Sequence, residues 1–62
     1  MDTNFSSVGK RIRHIRKQQH LSQEKLAELA RMSRISISGI ETGKKIPSVE
    51  SLVSIASALH VS

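Results

Sequence analysis

Ile35, Ser38 and Gly39 share one side of a short helical stretch with Arg34 at its leading edge, and the chemistry open to them is recognition. At about 100° per residue that side points away from Ile37 and Ile40, the inward residues of the same stretch. Arginine offers a planar fork of donors, serine one donor and two acceptor positions, and isoleucine an apolar contact. The outer side, which Thr42 extends, has no aspartate, no lysine and little bulk, so it is shaped for a groove more than for water. Catalytic chemistry lacks its parts. His14, His20 and His60 have no cysteine and no carboxylate constellation around them, the five acidic residues are spread out, and no serine has a base at motif spacing. No glycine-rich phosphate loop is present. An enzyme is therefore not expected, and neither is a metal or cofactor.

These side chains have to be positioned by the stretch Leu21 to Gly43, which reads as two short helices joined by a tight turn. Ser22 is a good N-cap for the first, with Leu21 before it as a hydrophobic staple. Lys25 in place of Glu leaves the capping box incomplete. Leu26, Ala27, Leu29 and Ala30 fall at helical spacing on one face, and the small Ala27 lets the following helix cross closely. Arg31-Met32-Ser33 breaks the pattern. Arg31 is expected in a left-handed backbone, at a cost on the order of 1 kcal/mol for a residue with a Cβ, and Ser33 can cap the second helix. Gln23 lies in the first turn of the helix after Ser22, beside unpaired backbone N–H groups that can receive a phosphate. It is either a further donor there or an ordinary polar first-turn residue.

The chain has 62 residues, room for one small domain, residues 1–62. A domain of this size buries only about 60% of its unfolded surface, so stability should be modest, a few kcal/mol. With no cysteine there is no disulfide and no thiolate metal site. The apolar runs are too short to span a membrane or to make a secretory signal, and a cytoplasmic protein is expected. Ten Lys and Arg against five Asp and Glu give +5, and all ten basic residues lie between Lys10 and Lys45. Clustered positive charge fits a polyanion partner; it also serves solubility alone.

A first helix is predicted over Ser7 to Gln19. Val8, Ile12 and Ile15 form its stripe, extended by Phe5 and Gln19, and Phe5 is expected to pack over the end of the core. Lys10, Arg13, His14 and Lys17 make the far side, a solvated face with some reach to phosphates. Arg16 flanks the stripe close to the core, where a lone charge is costly. Glu41 flanks the Ile37–Ile40 stripe in the same way, and the two are paired here; the alternative is that both point into water. His20 falls at the C′ position that favours glycine. After Gly43, Lys44-Lys45-Ile46-Pro47 is a loop, with Ile46 expected to tuck onto the core. Ser48 caps a last helix with Glu50 in its first turn. Val49, Leu52, Ile55, Ala56 and Leu59 make its core stripe, and Val53 lies off it.

Taken together, these motifs resemble the lambda repressor and Cro type of helix-turn-helix domain, also called the XRE family. The matching residues are Val8-Gly9, Arg11-Ile12-Arg13 and Arg16, then Leu21-Ser22-Gln23 with Leu26-Ala27, then Ser33-Arg34, Ile37-Ser38, Ile40-Glu41 and Gly43-Lys44. Pro47-Ser48, Leu52, Ile55-Ala56 and Ala58-Leu59 complete the pattern, which covers roughly residues 7 to 61. Each piece is weak alone; in this order and spacing they are highly specific.

The resemblance implies an all-α bundle of four to five short helices, with a helix-turn-helix unit at about 22–42 and a recognition helix at about 34–41 in the major groove. It puts Arg34, Ile35, Ser38 and Gly39 at base-facing positions. It makes Gln23 a phosphate contact that also braces the first base-reading residue. Ser36, Lys44 and Lys45 join Gln23 as candidate phosphate contacts, and Arg16 and Glu41 fall on a buried ion pair. Arginine can give two hydrogen bonds to O6 and N7 of guanine; a phosphate contact is the competing role of Arg34. Ile35 can touch a thymine methyl.

Four departures stand out. Arg31 replaces the turn glycine, and His20 and His60 replace glycines that end helices. Gly39 replaces a larger polar residue, so one base contact is expected to be absent; close approach to a base and simple drift are its two readings. The resemblance also implies a fifth helix where the chain stops at Ser62, so the domain is expected to end before it. The function read from the sequence is sequence-specific binding of double-stranded DNA by a transcriptional regulator, a repressor acting as a homodimer in a bacterial or phage setting. The alternative is a protein-interaction module of the same fold. RNA binding is disfavoured because no aromatic is placed to stack bases.

Overall fold

The computed structural model describes the backbone of residues 5–60 and the side chains of residues 7–60. Four helices make up the described chain: α1 (Phe5–Gln18), α2 (Gln23–Ala30), α3 (Arg34–Glu41) and α4 (Val49–Leu59). The expectation about the Phe5 side chain lies outside the described residues.

Serine starts three of the four helices. Ser22, Ser33 and Ser48 have extended backbones, and their Oγ atoms accept from the N–H groups of Lys25, Ser36 and Ser51 at 2.9, 3.0 and 3.1 Å. Each cap satisfies one donor that the helix itself leaves unpaired. Leu21, Met32 and Pro47 precede these caps and Leu26, Ile37 and Leu52 follow four residues after them, the positions of a hydrophobic staple. Leu26 and Ile37 are fully buried, and Leu21, Met32 and Leu52 pack against the core.

Left-handed residues end the helices. His20, Arg31 and His60 have φ of 58°, 57° and 58°, and Gly43 has φ 80°. After α2, the Met32 N–H reaches Ala27 O at 2.8 Å and the Arg31 N–H reaches Glu28 O at 3.2 Å. The same two-bond closure follows α1, where Leu21 bonds Arg16 O and His20 bonds Lys17 O. The backbone thus takes the glycine conformation with glycine at only one of these four ends. Arg31→Gly is therefore expected to stabilise the domain by about 1 kcal/mol. In a domain of this size that raises Tm by roughly 4–8 °C. A thermal melt showing no rise would mean that contacts of the Arg31 side chain offset the strain.

The core consists of Ile12, Leu26, Ala27, Ala30, Ile37, Ile40, Ile55 and Leu59. Val8, Ile15 and Leu52 are only partly buried and help line an open apolar groove between α1 and α4. Gly9 sets the crossing of α1 on α3: a Cβ there would overlap the carbonyl oxygen of Ile40. Nothing in the hydrophobic periodicity marks this position.

Several core expectations need correction. Ile46 is 67% exposed and Pro47 is buried instead, because successive residues of an extended segment point to opposite sides. Val49 is 77% exposed. It lies about 120° round the helix from Ile55 and shares an edge with Val53. Leu29, expected on the inner face of α2, is half exposed. Gln19 is exposed, and its side-chain amide donates to the Leu59 carbonyl at 2.7 Å, tying the end of α1 to the end of α4.

Candidate nucleic-acid interface

The inner face of α3 is anchored on two counts. Ile37 and Ile40 are fully buried. Glu41 accepts from Arg16 in a two-pronged pair, Nε to Oε2 at 2.7 Å and Nη2 to Oε1 at 3.0 Å. The remaining Arg16 nitrogen, Nη1, donates to the Leu21 carbonyl at 2.7 Å. Both partners are buried, and among the described residues no buried side-chain polar atom is left unpaired. Charge-assisted bonds in this fork geometry are strong and directional, so the pair fixes the orientation of α3 against the corner between α1 and α2.

The outer face follows from that anchoring. Arg34 is exposed and Ile35 is 82% exposed, an isoleucine with no packing role inside the domain. Ser38 and Gly39 lie beside them, half-buried. Thr42 turns its hydroxyl back to donate to the Ser38 carbonyl at 2.9 Å, so that donor is spent within the helix. Arg34, Ile35, Ser38 and Gly39 therefore form one continuous surface.

Gln23 stands at the start of α2, but its side-chain amide donates to Glu41 Oε1 at 3.1 Å. In the free domain it braces the Arg16–Glu41 ion pair, a contact that the sequence did not reveal. The N-terminus of α2 still presents unpaired N–H groups and the positive end of the helix dipole. Lys44 and Lys45 are exposed on the loop after α3. The loop folds back, with the Lys44 and Lys45 N–H groups both bonded to the Gly39 carbonyl at 2.9 and 3.1 Å. Lys45 Nζ then reaches Ser36 Oγ at 3.1 Å. Lys10, Arg13, His14 and Lys17 are exposed on α1, apart from α3's outer face in the chain. Among the described residues only Arg16–Glu41 and Lys25–Glu28 form ion pairs. Most of the positive charge is thus free to meet anions outside the domain. No group of three or more metal-ligating side chains occurs among the described residues, and no described helix is long and apolar enough to cross a membrane.

The chain is similar to known proteins in sequence and in fold. The helix-turn-helix family matches residues 12–62. The immunity repressor protein of Bacillus phage phi105 is 42% identical over 55 residues, 89% of this chain, which spans 38% of that repressor's length. Among solved structures, the restriction-modification controller protein C.AhdI from Aeromonas hydrophila superposes with a TM-score of 0.86 at 35% identity, covering 87% of this chain and 82% of that one. The clp gene regulator ClgR from C. glutamicum gives 0.88 at 33% identity, over 92% and 73% of the two chains. On the sequence match, the serine-capped pair α2–α3 and these superpositions, the chain belongs to the helix-turn-helix family, in the lambda repressor and Cro type.

Proposed function

We propose that the chain is a sequence-specific reader of double-stranded DNA and acts as a transcriptional regulator, a repressor in its simplest form. The observation that carries this reading is the outer face of α3, where Ile35 is 82% exposed beside Arg34 and Ser38 on a helix whose inner face is fully buried. Such a helix fits the major groove, with Arg34 donating to a guanine, Ile35 against a thymine methyl and Ser38 as donor or acceptor. Lys44 and the start of α2 supply phosphate contacts that fix register and contribute the salt-dependent part of affinity. A homodimer on a two-fold site doubles those contacts, and the setting is the cytoplasm of a bacterium or of a phage-infected cell. The phage repressor and the controller protein that the chain resembles support this reading by their names.

A second reading, a protein-interaction module, is favoured by the exposed Leu29, Ile46, Val49 and Val53. Selection of bound sequences from a random duplex pool, followed by binding at rising salt, separates the two. The DNA reading expects an enriched motif and an affinity that falls linearly on a log–log salt plot, with a slope of about −0.9 per phosphate neutralised. Arg34→Ala is expected to relax preference at one base pair. Lys44→Ala should instead weaken all sequences alike and reduce the slope by about 1. An unchanged motif with Arg34→Ala would remove Arg34 as a base reader.

A further inference from the structure

Gly39 occupies a base-facing position without a side chain to use there. The structure gives that vacancy a neighbour. A Cβ built on Gly39 would lie 3.2 Å from Lys45 Cβ and 3.8 Å from Lys45 Cδ. The stem of Lys45 therefore lies over the bare backbone of the helix, and its Nζ stands 3.1 Å from Ser36 Oγ, one turn nearer the N-terminus of α3. The two bonds from the loop N–H groups to the Gly39 carbonyl hold this fold-back in place. Ser36 and Gly39 are three residues apart, neighbours on one side of the helix. They border Ile35, so the ammonium group lies at the edge of the reading face.

We infer that Lys45 is a base-reading residue, presented from the loop across Gly39, and that it reads a guanine. This rests on the proposal that α3 reads DNA. A lysine ammonium carries three donors and no acceptor, which suits the paired O6 and N7 acceptors of guanine in the major groove. Gly39 is then a specificity device. Its missing side chain opens the path along which a loop residue replaces the absent helix residue. A lysine standing away from α3 would serve only phosphates; this one lies along the flank of the helix.

Sequence selection from a random duplex pool tests the inference, run in parallel with the wild-type chain and with Lys45→Ala, Gly39→Ala and Lys44→Ala. Lys45 and Lys44 are exposed and Gly39→Ala adds helix propensity, so all three variants are expected to fold, as circular dichroism will show. Lys45→Ala is expected to lose roughly tenfold of preference for a G·C pair at one position, with the other positions kept. Gly39→Ala, whose methyl group crowds the lysine stem, should lose preference at that same position. Lys44→Ala should keep the motif. If Lys45→Ala keeps the wild-type motif and merely weakens every sequence alike, Lys45 is a phosphate contact and the inference is overturned while the DNA reading stands. A wild-type pool that yields no motif overturns both.

Discussion

Glu41→Ala is expected to remove at least a third of the domain's stability, and all of it at the lower end of the range for a chain of this size. Glu41 accepts three hydrogen bonds, two from Arg16 and one from Gln23, at the end of α3. Its removal leaves the guanidinium of Arg16, a residue 7% exposed in the intact domain, with only the Leu21 carbonyl as partner. Breaking a buried pair from one side costs about 3–5 kcal/mol, because the surviving charge is uncompensated. At 0.05–0.15 kcal/mol per residue a chain of this length holds roughly 3–9 kcal/mol in all. The loss is thus a large fraction of the whole stability. Replacing both partners by apolar residues, Arg16→Met with Glu41→Leu, strands no charge and should cost far less. Urea titrations of the single and double variants measure this directly. A single-variant loss below about 1 kcal/mol would show that water reaches Arg16 and that the pair is ordinary surface electrostatics.

Gly9→Ala has a comparable expected effect through steric overlap. The added methyl would overlap the Ile40 carbonyl oxygen and lie 3.0 Å from the Glu41 carbonyl oxygen. Both obstacles are backbone, so no side-chain rotation relieves them and α1 has to lift away from α3. Overpacking in a close-packed interior costs about 1–3 kcal/mol and more where nothing yields; here the upper end, or loss of folding, is expected. Gly39→Ala is the matched control, since its neighbour is a lysine stem and the substitution gains about 1 kcal/mol of helix propensity. Equal stability of Gly9→Ala and the parent chain in denaturant would mean that the α1–α3 crossing is looser than the geometry indicates.

The contrast between these glycines shows where the sequence speaks and where it is silent. The starts of α2, α3 and α4 were legible because a serine cap acts locally, on an N–H three residues along, whereas α1 begins at Phe5, two residues before the expected Ser7. The left-handed ends at His20 and Arg31 were legible because two apolar periods meet there with no room for a longer connection. The Arg16–Glu41 pair could be argued from burial alone, since two charges flanking two apolar stripes need each other. Positions set by another element were not legible. Gly9 depends on how close α3 comes. Val49 lies at the edge of a stripe whose width only packing defines. Pro47 takes the inward position expected of Ile46 because the loop alternates sides. Gln23 turns to Glu41, a residue 18 positions away. At the candidate site, periodicity located the outer face of α3, yet Lys45 belongs to a loop and no helical period predicts where a loop folds back.

The residues that hold α3 and the residues that it displays are separate sets. Ile37, Ile40 and Glu41 face inward, and Arg34, Ile35, Ser38 and Gly39 face outward. Changes to the displayed set leave the anchors in place, so the domain works as a type-holder in which the letters can be exchanged while the frame stays locked. If α3 reads DNA as proposed, new target preferences are reachable by single substitutions on its outer face without passing through an unstable intermediate.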